Sequence, residues 1–251
     1  MSHLVVSQLQ DAFKHRHVTF VGGPCLGGKS TRLKIASLAL RGVGVIGLDT
    51  STVIGSEIKN GTELGMVFAR TREECGPAAL QPDAESMLAI ARAVREQCED
   101  DPKQEKRIII VGTPRTPTQA RWIIQADLRF SCVHFTASER QTRENLDRRL
   151  AENRPDDNPK DFEERLRIYW QETVPALTML RRHRSNRFRE FETGHHNVRK
   201  AVIVLIEAVI GRNHPQWNRV TNALHCNTTP AGELIARLAP SQEVRLRQAF
   251  A

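Results

Sequence analysis

Short runs of apolar residues recur along the chain and predict the strands of a sheet. HVTFVG (17–22), GVGVIGLD (42–49) and KRIIIVG (106–112) are nearly continuous apolar runs, bounded or interrupted by glycine. Strands of a parallel sheet are covered on both faces and have this continuous pattern, whereas half-exposed strands alternate. We therefore predict buried strands at these three runs, and further strands at CVHFT (132–136) and FREFET (188–193).

Segments with apolar residues at helical spacing lie between these runs. The predicted helices are at 29–40, 52–60, 63–72, 83–97, 117–126, 138–151, 161–184 and 197–210. The polar stretch NRPDDNPKD, with two prolines, predicts a loop before the helix at 161–184. Strands that alternate with helices predict an α/β fold, here a five-stranded parallel sheet with helices on both faces.

The ends of the chain differ in pattern from this central region. We expect a helical extension at 1–16, a main domain at 17–211 and a small helical appendage at 212–251, where no strand pattern occurs. No apolar run is long enough to span a bilayer. The expected protein is soluble and has no membrane partner.

The composition of the chain is basic. Hydrophobic residues make up 39% and charged residues 26% of the chain, and the formal net charge is +8. This charge suits polyanions from nucleotides to RNA without distinguishing them. Five cysteines without CxxC spacing predict free thiols, as in the cytoplasm or, alternatively, the mitochondrial matrix.

The stretch GGPCLGGKST (22–31) carries the clearest chemical signal. It satisfies GxxxxGK[ST] between a predicted strand and a predicted helix, the context of a phosphate-binding loop. Its backbone N–H groups and the helix N-terminus would face phosphate oxygens, Lys29 would bridge the β- and γ-phosphates, and Ser30 would ligate Mg²⁺. A glycine-rich turn with a chance lysine is the alternative. The predicted ATP-binding residues are Gly23, Gly27, Gly28, Lys29, Ser30 and Thr31.

Three further stretches follow in order: LDTSTVIGSEIKNGTELG (48–65), VGTPRTPTQA (111–120) and NRPDDNPKDFEERLRIYWQETVPAL (153–177). With the GxxxxGK[ST] stretch they resemble the adenylate kinase family of nucleoside monophosphate kinases, over roughly residues 17–211. The resemblance implies ATP and Mg²⁺ as cofactors and phosphoryl transfer to a nucleoside monophosphate. It also implies an acceptor-binding insert at about 50–82 and a short lid at about 150–162.

The resemblance assigns a set of arginines to catalysis. Arg154, in Arg-Pro-Asp-Asp-Asn, and Arg165 match family arginines that close over the reacting phosphates, and Arg148 could join them. Phosphoryl transfer needs aligned substrates and neutralised charge, which arginines supply. A solvated helix face is the alternative interpretation. Together with Lys29 and Arg115, these are the expected catalytic residues.

The acceptor side is also assigned by resemblance. Arg115 matches the family arginine that holds the acceptor phosphate, Gln119 the glutamine that reads the acceptor base, and Thr50 the threonine that opens the acceptor-binding helix. In the alternative interpretation, Pro114 and Pro117 only end a strand, and the side chain of Gln119 is exposed.

Several positions depart from the family pattern. Val111 stands where the family has the aspartate that organises magnesium, and Gly55 stands where it has an acceptor-phosphate arginine. Lys59 could compensate for the arginine, and Asp49 for the lost carboxylate.

Three functions remain open after these departures. The first is a nucleoside monophosphate kinase. The second is a catalytically weak nucleotide-binding relative that serves in a larger, RNA-containing assembly through its basic surface. A generic ATPase or GTPase is a minor third, because no separate aspartate follows an apolar strand as in the Walker B motif. The protein is expected to be a monomer or part of a complex.

Overall fold

The computed structural model describes residues 2–98, 106–151, 159–193, 197–226 and 228–238. Five parallel strands form one sheet in the order β2-β3-β1-β4-β5. The strands are β1 (His17–Gly22), β2 (Val45–Asp49), β3 (Arg107–Val111), β4 (Phe130–Thr136) and β5 (Phe188–Glu192). The predicted α/β fold with a five-stranded parallel sheet is confirmed.

Helices surround this sheet. They are α1 (Ser2–Ala12), α2 (Lys29–Ala39), α3 (Thr50–Lys59), α4 (Glu63–Cys75), α5 (Asp83–Cys98), α6 (Pro117–Gln125), α7 (Glu139–Ala151), α8 (Pro159–Ile168), α9 (Val174–His183), α10 (Val198–Ile210), α11 (Trp217–Ala223) and α12 (Pro230–Leu238). Among the described residues, no helix combines the length and apolar character needed to cross a membrane.

Alternate residues of the central strands supply two separate cores. On one face Phe20, Ile108 and Ile110 pack against α1, α5, α6 and α9. On the other face Val21 and Ile109 pack with residues of α2 and α10. The near-continuous apolar character of β1 and β3 therefore follows from burial on both sides.

The second strand differs from its prediction. It begins at Val45, three residues later than predicted, and only Leu48 is buried while Gly47 is exposed. The reason is its position, because β2 is an edge strand that pairs with β3 alone. Similarly, the fourth strand begins at Phe130, two residues earlier than predicted.

The long helix predicted at 161–184 is not continuous. A π-helical turn at Tyr169–Thr173 separates α8 from α9. Pro175 lies just after it and has no N–H for the carbonyl one turn earlier, so the hydrogen-bond ladder shifts there. The turn positions Tyr169 and Thr173 at the carboxyl edge of the sheet.

The segment after α10 contains helices α11 and α12, which contact α2 and contribute Val220 and Ile235 to the second core. The five cysteines form no disulfide. The division of the chain into an extension, a main domain and an appendage remains a prediction.

Candidate functional site

A cavity of about 380 Å³ opens at the carboxyl ends of β1, β2 and β3. In open parallel sheets ligands bind at this edge, where loops diverge from the strands. The loop after β1, the start of α3, the loop after β3 and the segment from α8 to the π-helical turn all contribute lining residues. The structure thus brings four of the sequence stretches singled out above to one cavity.

The loop after β1 (residues 23–28, called the P-loop below because it satisfies GxxxxGK[ST] with Lys29 and Ser30) has glycines that its geometry requires. Gly23 has φ 149°, and a Cβ there would lie 2.4 Å from the carbonyl oxygen of Phe135. Gly28, with φ 73°, is in the left-handed region at the N-terminus of α2, and a Cβ there would lie 2.3 Å from Arg32 Nη1. Only glycine fits both positions without strain.

Lys29 occupies the inside of this loop. Its Nζ donates to the carbonyl oxygens of Gly23 at 2.9 Å and Pro24 at 2.5 Å. The pKa of Lys29 is lowered to about 8, mainly by burial; Arg115 and Arg32 act in the same direction, and Cys25 and Asp49 oppose it. A charged amine therefore lies in the cavity with only neutral carbonyls as hydrogen-bond partners.

Two side chains behind the loop support it. Arg32 Nη1 donates to the carbonyl of Gly27 at 2.5 Å and its guanidinium lies 5.2 Å from the ring centroid of Phe135. Asn145, on α7, donates to the carbonyl of Leu26 at 3.0 Å. Both side chains satisfy loop carbonyls from outside, which leaves the inside of the loop to a ligand.

A carboxylate lies beside the loop serine. Ser30 Oγ donates to Asp49 Oδ2 at 2.5 Å, and the other carboxylate oxygen accepts from the backbone N–H and the hydroxyl of Ser51. Asp49 ends β2 and pairs in register with Val111 of β3. The carboxylate absent at Val111 is thus present one strand away.

Among the described residues, no group of three or more histidine, cysteine or acidic residues could hold a metal ion by itself.

Thr50 connects β3 to the start of α3. Its buried hydroxyl is 2.9 Å from both the carbonyl oxygen of Val111 and the hydroxyl of Thr113. These contacts join the ends of two neighbouring strands at the cavity wall.

Arg115 and Arg165 face the cavity from different elements. Arg115 follows β3 and Arg165 is in the last turn of α8, and both line the cavity. Within the described residues neither guanidinium has a hydrogen-bond or ion-pair partner. Burial and the neighbouring charge of Arg165 lower the pKa of Arg115. This wall is therefore strongly electropositive.

Gln119 is buried rather than exposed. Its Oε1 accepts from the backbone N–H of Arg115 at 2.8 Å, and its Nε2 donates to Asp83 Oδ1 at 2.9 Å. Asp83 also accepts from the hydroxyl of Thr116 at 2.8 Å. Gln119 thereby fixes the backbone of Arg115 while lining the cavity.

An arginine of α4 lines the cavity beside α3. Lys59 does not line the cavity, whereas Arg72 of α4 does. The arginine thus comes from the helix after the one in which the family pattern places it. Nothing lies within 4 Å of a Cβ added at Gly55.

Tyr169 forms the far side of the cavity through a buried network. Its hydroxyl is 2.8 Å from His134 Nε2, and His134 Nδ1 is 3.3 Å from a carboxylate oxygen of Glu190. Burial lowers the pKa of His134, although Glu190 opposes this, and burial raises the pKa of Tyr169 to about 12. The neighbouring Thr173 donates to the carbonyl of Arg115 at 3.1 Å.

Not every predicted residue lines this cavity. Gly27, Gly28 and Thr31 belong to the loop and first turn of α2 but do not line it. Arg154 and the side chain of Arg148 lie outside the described residues.

Sequence reasoning missed Arg72, Arg32 and Tyr169. Arg72 and Tyr169 lie in amphipathic segments whose pattern does not distinguish them, and Arg32 is one of many arginines in the chain. Nothing in the sequence next to these three residues therefore marked them as functional. The GxxxxGK[ST] loop does place Arg32 one turn into its helix, where it can reach back to Gly27.

Comparison with known proteins agrees with this geometry at a coarse level. No protein-family model matches the chain. An adenylate kinase from Corynebacterium urealyticum is 28% identical over 160 residues, which cover 62% of this chain and 81% of that protein. The chain is distantly related to adenylate kinase. This relationship and the five-stranded parallel sheet together fit a P-loop kinase.

Proposed function

We propose that the protein is a nucleoside monophosphate kinase, which transfers the γ-phosphoryl group of ATP to a nucleoside monophosphate and releases ADP and a nucleoside diphosphate. The observation that carries the proposal is the pair Arg115 and Arg165, which face one cavity with Lys29 and have no acidic partner among the described residues. Unneutralised cations in a shared cavity favour a ligand with several negative charges. Two nucleotides that meet at their phosphates are such a ligand.

The loop after β1 would hold the ATP phosphates. Lys29 now donates to the carbonyls of Gly23 and Pro24. A phosphate oxygen would replace these neutral acceptors with a charged one, and charge-assisted hydrogen bonds are roughly twice as strong. The expected donor-site residues also include Ser30, Thr31 and the loop glycines, through main-chain N–H groups.

The site has the oxygen donors that Mg²⁺ prefers. Ser30 and Asp49 would hold the ion, because Mg²⁺ is typically bound by one or two carboxylates together with waters and substrate phosphates. When bound, Mg²⁺ neutralises charge on the phosphates. In this proposal Asp49 supplies the carboxylate that Val111 cannot.

The acceptor would bind on the α3–α4 side. Arg72 and Arg115 would grip its phosphate from two directions. Gln119 keeps one N–H and one acceptor lone pair after its bonds to Asp83 and Arg115, enough to contact a base edge. Thr50 holds the strand ends that position these groups.

Arg165 would stabilise the transferring group, and Arg148 and Arg154 would close over it. Each such arginine acts by neutralising charge that develops in the transition state. The same closure excludes water, which would otherwise accept the phosphoryl group.

A coupled assay of ADP formation tests the proposal. Purified full-length protein receives ATP and Mg²⁺ with each of AMP, CMP, UMP and GMP, beside Lys29→Met and the control Lys34→Met. Lys34 is an exposed residue of the same helix. We expect acceptor-dependent turnover that Lys29→Met loses and Lys34→Met keeps.

The second candidate is the catalytically weak nucleotide-binding relative, and the changes at Val111 and Gly55 are the observation that favours it. Turnover no higher than that of Lys29→Met for every acceptor, together with tight ATP binding, would establish this candidate and contradict the kinase. Acceptor-independent phosphate release would instead indicate an ATPase.

A further inference from the structure

A second cavity, of about 580 Å³, lies at the opposite edge of the sheet from the P-loop. The parallel strands begin there, and β3, β4 and β5 begin on an arginine or directly after one. Arg107 is the first residue of β3, and Arg129 and Arg187 directly precede β4 and β5. All three line the cavity with Arg189, Arg212 and His17.

Several positive charges of this cavity have no acidic partner among the described residues. Glu207 is the one acidic residue in the described part of the lining, and it pairs with Arg212 at 2.9 Å. In the described part of the chain, Arg107 and Arg189 donate side-chain hydrogen bonds only to main-chain carbonyls, and Arg187 has no acidic partner. Arg107, Arg187 and Arg189 thus have no acidic partner among the described residues, and they give the cavity a positive potential.

His17 provides an independent sign of a missing ligand. This first residue of β1 has 9% of its surface exposed. One ring nitrogen, Nε2, is 3.2 Å from the hydroxyl of Ser131, and the other, Nδ1, is buried without a hydrogen-bond partner among the described residues. Buried polar atoms without partners are uncommon and costly, so an unpaired ring nitrogen at an arginine-lined cavity indicates a group that completes it.

We propose that this cavity, named here the basal cavity, is a second anion-binding site for a phosphate-bearing small molecule, separate from the P-loop. Guanidinium groups bind phosphate through paired hydrogen bonds, and Arg187 and Arg189 have donors to offer. With the Ser131 hydroxyl donating to Nε2, the Nδ1–H of His17 donates to the same anion. The volume lies within the range of small-molecule sites.

The shape of the surface favours a small anion over a nucleic acid strand. The arginines converge from the strand starts, the segment before β5 and the end of α10 onto one concavity. A strand-binding groove instead extends along the backbone and offers aromatic platforms for bases. In the described part of the chain, no aromatic residue except His17 lines the basal cavity.

The pKa of His17 can report on ligand binding in the basal cavity. Burial, together with the charges of Arg107, Arg187 and Arg129, lowers the pKa of His17 to about 4. The remaining charged groups that line the cavity are Arg189, Arg212 and Glu207. A bound anion would offset the arginines and accept from the ring, so it would raise the pKa of His17.

Calorimetric titration with inorganic pyrophosphate tests the proposal. It uses full-length Lys29→Met, so that binding through the P-loop lysine is removed, and the signal of the basal cavity is the part of the binding that the added pair Arg187→Gln and Arg189→Gln weakens. We expect this pair to weaken it about tenfold or more, since a hydrogen bond to a charged group typically contributes that much. Both arginines are exposed, so the variant should fold, and an unchanged unfolding temperature checks this.

Arg121→Gln is the matched control, because Arg121 is exposed on α6 and bonds only within its own helix. It should leave pyrophosphate binding unchanged. AMP and ADP, titrated in the same background, distinguish a nucleotide from a free polyphosphate as the source of the phosphate. In parallel, NMR titration of the His17 ring should show its pKa rising when pyrophosphate is saturating.

Three results would overturn the proposal. One is the absence of pyrophosphate binding to Lys29→Met, and another is binding that the two arginine substitutions leave unchanged. The third is a single-stranded oligonucleotide that binds these arginines while pyrophosphate fails to compete, which would assign the surface to RNA.

Discussion

The hydroxyl of Ser30 donates to Asp49 Oδ2 at 2.5 Å, across the gap between the P-loop and the end of β2. Asp49 is the register partner of Val111, the position at which the family pattern requires a carboxylate. A carboxylate therefore lies beside the P-loop, on β2 instead of β3. If the protein is a kinase, its magnesium chemistry depends on this pair.

Asp49→Asn should raise the magnesium concentration needed for half-maximal activity by about tenfold, because the substitution removes a charged ligand. Asparagine is also a good N-cap, so α3 should keep its start and stability should change little. Magnesium titration of initial rates measures the effect.

The pairing of Asp49 with Val111 also predicts that a carboxylate at position 111 can partly replace the one at position 49. Val111→Asp, added to Asp49→Asn, should restore part of the magnesium affinity because the new carboxylate enters the same cavity. Asp127→Asn, at an exposed turn away from the cavity, is the control. An Asp49→Asn variant with unaltered magnesium dependence would contradict this role.

ATP binding should be coupled to protonation of Lys29. The pKa of about 8 means that the free amine is mostly uncharged at pH 9, and a phosphate partner would restore the charge. Binding should then take up more of a proton at pH 9 than at pH 7, and affinity should fall as pH rises above 8. Calorimetry in buffers of different ionisation enthalpy measures this uptake. Equal, negligible uptake at both pH values would contradict it.

Arg72 should act on the acceptor and not on ATP. Arg72→Gln should raise the KM for the nucleoside monophosphate about tenfold or more, through loss of a charge-assisted hydrogen bond, and leave the KM for ATP unchanged. Arg70→Gln is the control, because Arg70 is an exposed residue of the same helix that does not line the cavity. Equal effects of the two substitutions would remove Arg72 from the acceptor site.

Tyr169→Phe should destabilise the protein by about 1–2 kcal/mol, because it leaves a ring nitrogen of His134 buried without its partner. Chemical denaturation measures the free energy of unfolding. Trp170→Phe should cost less, since Trp170 is 52% exposed. The reverse order of the two effects would show that the hydrogen bond to His134 contributes little.

The sequence was sufficient where chemistry and local pattern coincide. The P-loop needs its glycines and Lys29 within one short stretch, and the apolar run of β3 reflects burial on both faces. These features are local, so they can be recognised in the amino-acid sequence without knowledge of the fold.

The sequence was insufficient where a contact depends on strand order or on another helix. β2 looks buried from its composition, but its edge position exposes Gly47. Arg72 reaches the cavity only because α4 packs beside α3, and the pairing of Asp49 with Val111 depends on register. The basal cavity is also not evident from the sequence, because its arginines come from four separate stretches of the chain that meet only in the fold.

The most direct test of the central claim follows the phosphoryl group itself. Full-length protein is incubated with Mg²⁺, γ-³²P-labelled ATP and the acceptor that gives the highest rate, and the labelled products are separated. The account predicts label in the nucleoside diphosphate, lost in Lys29→Met and reduced at least about 100-fold in Arg165→Ala. Label that stays in ATP for all acceptors, or appears only as free phosphate, would contradict it.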